Sequence, residues 1–178
     1  MQLIFVRHTR VGVAPGTCYG WSDVPVASTF EEEASRVADL LERKAPFDAV
    51  FTSPLTRCTL LAERCGFAHA RRDERLKEMH MGQWEMLRYD DSDDPHLQTW
   101  YADYLHERTT GGESFQDLRQ RVGSFLDSLR TLPYRRVLIF THAGVIVSAG
   151  LYAGLFDEAE AFDHQPDHGT LVQIEIEG

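Results

Sequence analysis

Strands that alternate with helices along 178 residues predict an α/β fold, a three-layer α/β/α sandwich around a mostly parallel sheet. Three observations carry that expectation. Short β-forming apolar runs occur at residues 2–6, 48–52 and 137–141, and segments with helical spacing at 29–45, 55–65, 114–129 and 144–154 lie between or after them. Such alternation implies right-handed crossovers that cover both faces of the sheet. Neither a repeat nor a linker divides the chain, so residues 1–178 read as one domain. A small, partly helical cap is inserted at about 88–113 and is expected over the C-terminal edge of the strands.

Gln2-Leu3-Ile4-Phe5-Val6 is too short and too rich in β-formers for a helix, and it ends on Arg7-His8. Turn signals at Ala14-Pro15-Gly16 and Ser22-Asp23-Val24-Pro25 make residues 9–28 a long loop packed near the strand end. Thr29 followed by Phe30-Glu31-Glu32-Glu33 predicts a capped helix start with acids in the first turn, and Val37, Leu40, Leu41 and Ala45 continue its apolar face to Pro46.

The next strand, 48–52, runs into Ser53-Pro54, read as an N-cap with proline at the first helical position of a helix from 55 to 65. A weak strand is expected at 67–71 and an irregular segment at 76–84. Ser114 and Asp117 predict a capping arrangement for the helix that carries Phe115, Leu118, Val122, Phe125, Leu126 and Leu129. Val137-Leu138-Ile139-Phe140-Thr141 is the clearest central strand, followed by an apolar helix over 144–154. Leu-Val-Gln-Ile-Glu-Ile at 171–176 alternates as a strand with one polar face.

Composition narrows the partners. Hydrophobic residues make up 43% and charged residues 26% of an ordinary globular mixture. A formal charge of −10 without a dense basic stripe argues against nucleic acid. The apolar N-terminal run of four residues, closed by Arg7, reads as neither signal peptide nor membrane span, so a cytoplasmic location is expected. Cys18, Cys58 and Cys65 are odd in number and lack CxxC spacing, which speaks against a disulfide framework and fits small buried apolar residues. Arginines spaced among acids still permit a local positive pocket, and a small phosphorylated metabolite is the partner this leaves. Oligomeric state is not legible; a homodimer is compatible with the sequence.

Ligand sites in such sheets form beyond the C-terminal ends of strands. Three strand ends deliver Arg7-His8, the segment from Ser53 to Arg57, and His142 to one edge. A phosphate dianion needs several donors, and arginine's planar fork supplies them. A neutral imidazole can attack phosphorus to give a phosphohistidine that water then hydrolyses, and neighbouring arginines disfavour the imidazolium. His8 is thus the candidate nucleophile, Arg7 and Arg57 phosphate ligands, and His142 a donor to the phosphoryl oxygens. The leaving alkoxide needs a proton, which a carboxylic acid beside the anion can give. Glu78 is the candidate, although physics alone does not separate it from Glu85 and Glu113.

With these residues in view, the chain resembles the histidine phosphatase superfamily, the phosphoglycerate-mutase-like proteins. The resemblance is carried by Arg7-His8, Gly20-xx-Asp23-x-Pro25, Thr52-Ser53-Pro54-Leu55-x-Arg57, Leu76-x-Glu78-xxx-Gly82-x-Trp84-Glu85, Gly112-Glu113-Ser114 and Thr141-His142-x-Gly144, in that order over nearly the whole chain. It implies His8 as the phosphorylated nucleophile, Arg7, Arg57 and His142 as phosphate ligands, Glu78 as proton donor, and no metal or other cofactor. Many members have Gly after the nucleophile where this chain has Thr9, which alters the phosphate contacts expected from that loop. The loop from Thr9 through Ala14-Pro15-Gly16-Thr17-Cys18-Tyr19-Gly20 is similar to that of the α-ribazole-5'-phosphate phosphatases of cobalamin assembly. Tyr19, Gly20 and Arg10 are accordingly the candidate substrate-binding residues.

Plainer readings compete at several positions. Arg10 fits a solvated loop arginine as well as a ligand for a substrate phosphate. His164 and His168 have a spacing that can bind metal on a helix, but Pro166 between them breaks that geometry. Trp100, Tyr101 and Tyr104 fit packing of the cap better than stacking on a base. For the whole chain, hydrolysis of a small phosphomonoester, with α-ribazole 5'-phosphate first, competes with a broad sugar-phosphate or nucleotide phosphatase and with a phosphoglycerate-type mutase. A metal hydrolase built from His8, Glu78, His80 and His142 and a non-catalytic phospholigand-binding module are weaker alternatives.

Overall fold

The computed structural model describes residues 1–177. Its central strands are buried on both faces. In β1 (Gln2–Arg7), Leu3, Ile4, Phe5 and Val6 are all inaccessible to solvent, as are Val137 to Phe140 of β4 (Arg136–Thr141). Because side chains alternate across a strand, these residues feed two cores. Ile4, Val6, Leu138 and Phe140 pack with α1 (Phe30–Glu42) and α2 (Thr56–Arg64). Leu3, Phe5, Val137 and Ile139 pack with α4 (Phe115–Arg130) and α5 (Ala143–Tyr152). Continuous apolar runs rather than alternating ones are what such a doubly covered sheet requires.

The five strands lie in the order β3-β2-β4-β1-β5. β2 (Ala49–Thr52) pairs parallel with β4 and with the two-residue β3 (Arg71–Arg72), and β4 pairs parallel with β1. The edge strand β5 (Leu171–Glu175) runs antiparallel to β1, so its first residue lies beside Val6. The ends of β1, β2 and β4 therefore converge on one edge, with the turn preceding β5 beside them.

Three local expectations are revised. Thr29 holds the N-cap position of α1 without a side-chain cap; its hydroxyl donates to Glu33 at 2.5 Å instead. Ser53 does not hold the N-cap of α2, which starts at Thr56 with extended Leu55 as its N-cap; the Ser53 hydroxyl lies 2.8 Å from His142 Nε2. The strand expected at 67–71 forms only at Arg71–Arg72, where the chain reaches the end of β2. The capping box at Ser114 and Asp117 is complete.

Between Trp84 and α4 the chain makes a short 3-10 turn, α3 (His96–Ala102) and a loop. Asp94 ties this cap down, accepting from Trp84 Nε1 at 2.8 Å and Thr110 Oγ1 at 2.5 Å. Trp100 stands edge-on to Trp84 with centroids 5.4 Å apart, and Tyr104 packs on Phe162 at 4.1 Å. An antiparallel bridge between Thr17 and Arg88 joins the cap to the long first loop. No helix among the described residues is long and apolar enough to cross a membrane.

Candidate active site

His8 follows β1 directly, and its backbone N–H continues the sheet by donating to Thr141 O at 3.0 Å. Its Nδ1 lies 2.7 Å from the carbonyl oxygen of Thr9. A carbonyl only accepts, so the proton sits on Nδ1 and the lone pair on Nε2 is free for attack. Burial, and then the Arg57 guanidinium, hold the His8 pKa well below the usual 6.5, so the ring is neutral at physiological pH. The rings of His142 and His168 stand edge-on to it, at centroid distances of 5.2 and 5.3 Å.

His142 begins α5 from the end of β4 and is wholly buried, with Nε2 2.8 Å from Ser53 Oγ and Cys58 Sγ 3.6 Å from the same nitrogen. Burial and Arg57 lower its pKa as well. Arg57, also inaccessible, lies beneath them. It donates through Nη1 to Ser22 O at 2.9 Å and through Nη2 to Gly20 O at 2.6 Å, while its Nε has no partner. The Tyr19 ring lies 5.3 Å from the guanidinium carbon. Two of five donors thus anchor the loop, and the guanidinium charge acts on both histidines.

The three carboxylates that residue chemistry alone left unseparated differ in their partners. Glu85 accepts from the backbone N–H of Gly20, Trp21, Ser22 and Met81 at 2.7 to 3.1 Å, a cage that holds its pKa down despite burial. Glu113 forms a two-pronged pair with Arg121 at 2.8 and 2.9 Å. Among the described residues Glu78 has no cationic partner. It accepts from Met79 N–H at 3.0 Å and from Gly144 N–H, in the first turn of α5, at 3.2 Å. Of the three, only Glu78 lines the cavity that His8 and Arg7 also line.

That cavity, about 280 Å³, continues between the body and the cap past Tyr19, Met79, Met81, Tyr89, Trp100 and Phe162. Its cationic side chain is Arg7, and the rest of the lining is largely thioethers, aromatics and Leu118, with Thr17 and Gln165 as polar members.

Other candidates lie elsewhere. Arg10 is turned to Glu33, through Nε at 2.8 Å and its backbone N–H at 3.0 Å, and borders a separate recess. Gly20 has its N–H on Glu85 and its carbonyl on Arg57, and a Cβ there would collide with Met79 O. It shapes the loop rather than lining the cavity. The His80 ring lies tilted against Trp21, centroids 4.5 Å apart, and no group of three His, Cys, Asp or Glu among the described residues has the grouping a metal ion requires.

Two residues at the centre were not singled out from sequence. Ser53 was read as a cap, and His168 only as half of a metal pair. Yet Arg7 Nη2 lies 3.2 Å from His168 Nε2, and Arg7 Nη1 donates to Pro166 O at 2.5 Å. A signal existed in β5. Had it been placed antiparallel beside β1, the turn before Leu171 would have had to lie at His8.

The model of the histidine phosphatase superfamily (branch 1) matches residues 3–178. An adenosylcobalamin/alpha-ribazole phosphatase of Escherichia coli is 31% identical, over 99% of this chain and 90% of that protein. A probable phosphoglycerate mutase, GpmB, from the same species is 30% identical over 83% of this chain and 74% of its own length. In three dimensions the chain superposes on the crystal structure of the alpha-ribazole phosphatase from Shigella flexneri with a TM-score of 0.87 at 28% identity, covering 99% of this chain and 91% of that one.

Proposed function

The chain belongs to the histidine phosphatase superfamily and is a phosphatase, and from that premise we propose that it hydrolyses α-ribazole 5'-phosphate in cobalamin biosynthesis through a phosphohistidine at His8. The observation that carries the chemistry is the pairing, in one cavity, of a neutral histidine with a free Nε2 and a carboxylate that no cation neutralises.

In the first step His8 Nε2 attacks phosphorus as the bond to the ester oxygen breaks. Protonated Glu78 donates to that oxygen, so the alcohol leaves neutral. Arg7, Arg57 and His142 donate to the equatorial phosphoryl oxygens, where charge is spread in the transition state. In the second step water attacks phosphorus, Glu78 as carboxylate takes its proton, and the bond to His8 Nε2 breaks. Inorganic phosphate leaves, and both residues return to their starting states.

The ribazole ester is favoured by the wall beyond Glu78. Met79, Met81, Trp100 and Phe162 suit a planar apolar base, while Thr17, Tyr89 and Gln165 leave polar groups on the same wall for the substituents of that base or its ribose. The same wall disfavours a phosphoglycerate mutase, whose substrate brings a second anion. Tyr19, on the cavity wall 6.5 Å from the His8 ring, is positioned to touch the ester.

The test is phosphate release, with chelator present, from α-ribazole 5'-phosphate beside sugar phosphates, nucleotides and 3-phosphoglycerate, by wild type and His8→Ala. Release that is His8-dependent and fastest from the ribazole ester is expected. Equal rates across the panel would discard that substrate, and activity that survives His8→Ala would discard the mechanism.

A further inference from the structure

The turn before β5 is bound to the end of β1 along its length. Arg7 N–H donates to Thr170 O at 3.1 Å, and Gly169 N–H is shared between Arg7 O at 3.1 Å and His8 O at 3.2 Å. The same turn supplies both partners of the Arg7 guanidinium, Pro166 O and His168 Nε2. Arginine carries no acceptor, so His168 Nε2 must accept and its proton must lie on Nδ1. The steps set out above make no use of His168, although its ring stands edge-on to the nucleophile.

We propose that His168 is a positioning residue whose neutral imidazole holds the Arg7 guanidinium at the phosphate pocket before substrate arrives. This rests on the reading of Arg7 as a phosphate ligand. A free arginine side chain has many rotamers of similar energy, and ordering one weakens whatever it binds. Two hydrogen bonds from a turn fastened to the nucleophile's own strand select one orientation in advance.

The residue type fits the task. A carboxylate at this position would grip the guanidinium more tightly, but it would set a negative charge against the incoming phosphate. An imidazolium could not accept from Arg7 at all. A neutral imidazole holds the arginine and leaves its charge unspent. Burial, with Arg7 next in effect, lowers the His168 pKa to about 4, which keeps the ring in the accepting form. The other charged groups acting on it are Glu33, Arg10 and Asp167.

The experiment compares wild type with His168→Leu and His168→Gln. It reads the Kd of inorganic phosphate by calorimetry, kcat and KM on the best ester, and Tm. Leucine removes the acceptor, and glutamine keeps a neutral acceptor at about the same reach. Loss of one charged hydrogen bond predicts that His168→Leu raises phosphate Kd and KM together by roughly ten- to a hundredfold, with a smaller change in kcat. His168→Gln should restore most of the loss. Equal weakening by both variants, or a fall in Tm with phosphate Kd unchanged, would overturn the proposal. Phosphate binding needs no turnover, so a wild type that binds phosphate but hydrolyses no ester would refute the functional reading and leave the role of His168 measurable.

Discussion

Glu78 Oε2 accepts from the backbone N–H of Gly144 at 3.2 Å, which fixes the carboxylate against the first turn of α5. The approach is close enough that a Cβ at position 144 would run into Glu78 Oε1 and Leu118 Cδ2. Gly144→Ala should therefore displace the acid, lowering kcat on alkyl phosphates tenfold or more while costing about 1–3 kcal/mol of stability through overpacking. Unchanged kcat in a folded Gly144→Ala protein would show that Glu78 is not held by this contact.

Glu78→Gln removes the proton donor without changing shape. kcat should fall by roughly 10²- to 10⁴-fold on an alkyl phosphate ester. On p-nitrophenyl phosphate, whose leaving group departs as a stable anion, the first step should be nearly unaffected. A burst of p-nitrophenol followed by slow turnover is the expected trace, because the second step still needs a base. Equal loss of the burst on both esters would remove Glu78 from the role of acid.

The buried histidines make stability depend on pH. His8 and His142 have folded pKa values well below the usual 6.5, because burial and Arg57 disfavour their charged forms. The unfolded chain therefore binds protons more readily than the folded one. Stability is full above about pH 6.5 and falls as pH drops, by about 1.4 kcal/mol per pH unit for each such histidine. Tm measured from pH 7.5 to 5 should decline, and His8→Gln should flatten the slope. For the same reason the acid limb of kcat/KM should lie below pH 6.5. Tm that is flat over this range in wild type would contradict the neutral-histidine assignment.

Arg57 serves the loop and the phosphate together. Arg57→Ala leaves Gly20 O and Ser22 O unpaired in a buried setting, with an expected cost of about 2–4 kcal/mol. Arg57→Lys keeps the charge but not the planar fork, so KM should rise tenfold or more even where the protein stays folded. Wild-type KM in Arg57→Lys would show that charge alone suffices.

The apolar wall can be probed at Phe162, which borders the cavity and packs on Tyr104 and Phe115. Phe162→Ala should raise KM for an ester with an aromatic base by roughly tenfold, from the loss of about 1–2 kcal/mol of contact. KM for glycerol phosphate should hardly change. A uniform effect on both esters would place Phe162 in cap packing only.

Much of this protein is legible residue by residue. The buried strands announce themselves because a sheet covered on both faces needs unbroken apolar runs, and 2–6 and 137–141 have them. Arg7, His8 and His142 follow from strand ends, since a parallel sheet brings those ends to one edge whatever the intervening loops do. The contact between Ser53 and His142 was not legible, because it joins residues distant in sequence across the edge of the sheet.

The sequence by itself determined the fold class and the two histidines with two arginines, because these rest on periodicity and chain order, which local chemistry encodes. Tertiary structure alone decided which carboxylate is free. Glu85, Glu113 and Glu78 are the same residue type on similar stretches, and what separates them is four backbone amides around the first, Arg121 on the second and an open cavity before the third. It also decided that His168 stands on Arg7, which required β5 to start beside Val6, so that the turn before Leu171 lies at the end of β1. Partners brought together by such long returns leave no local signature, since nothing in the spacing of either residue records the other.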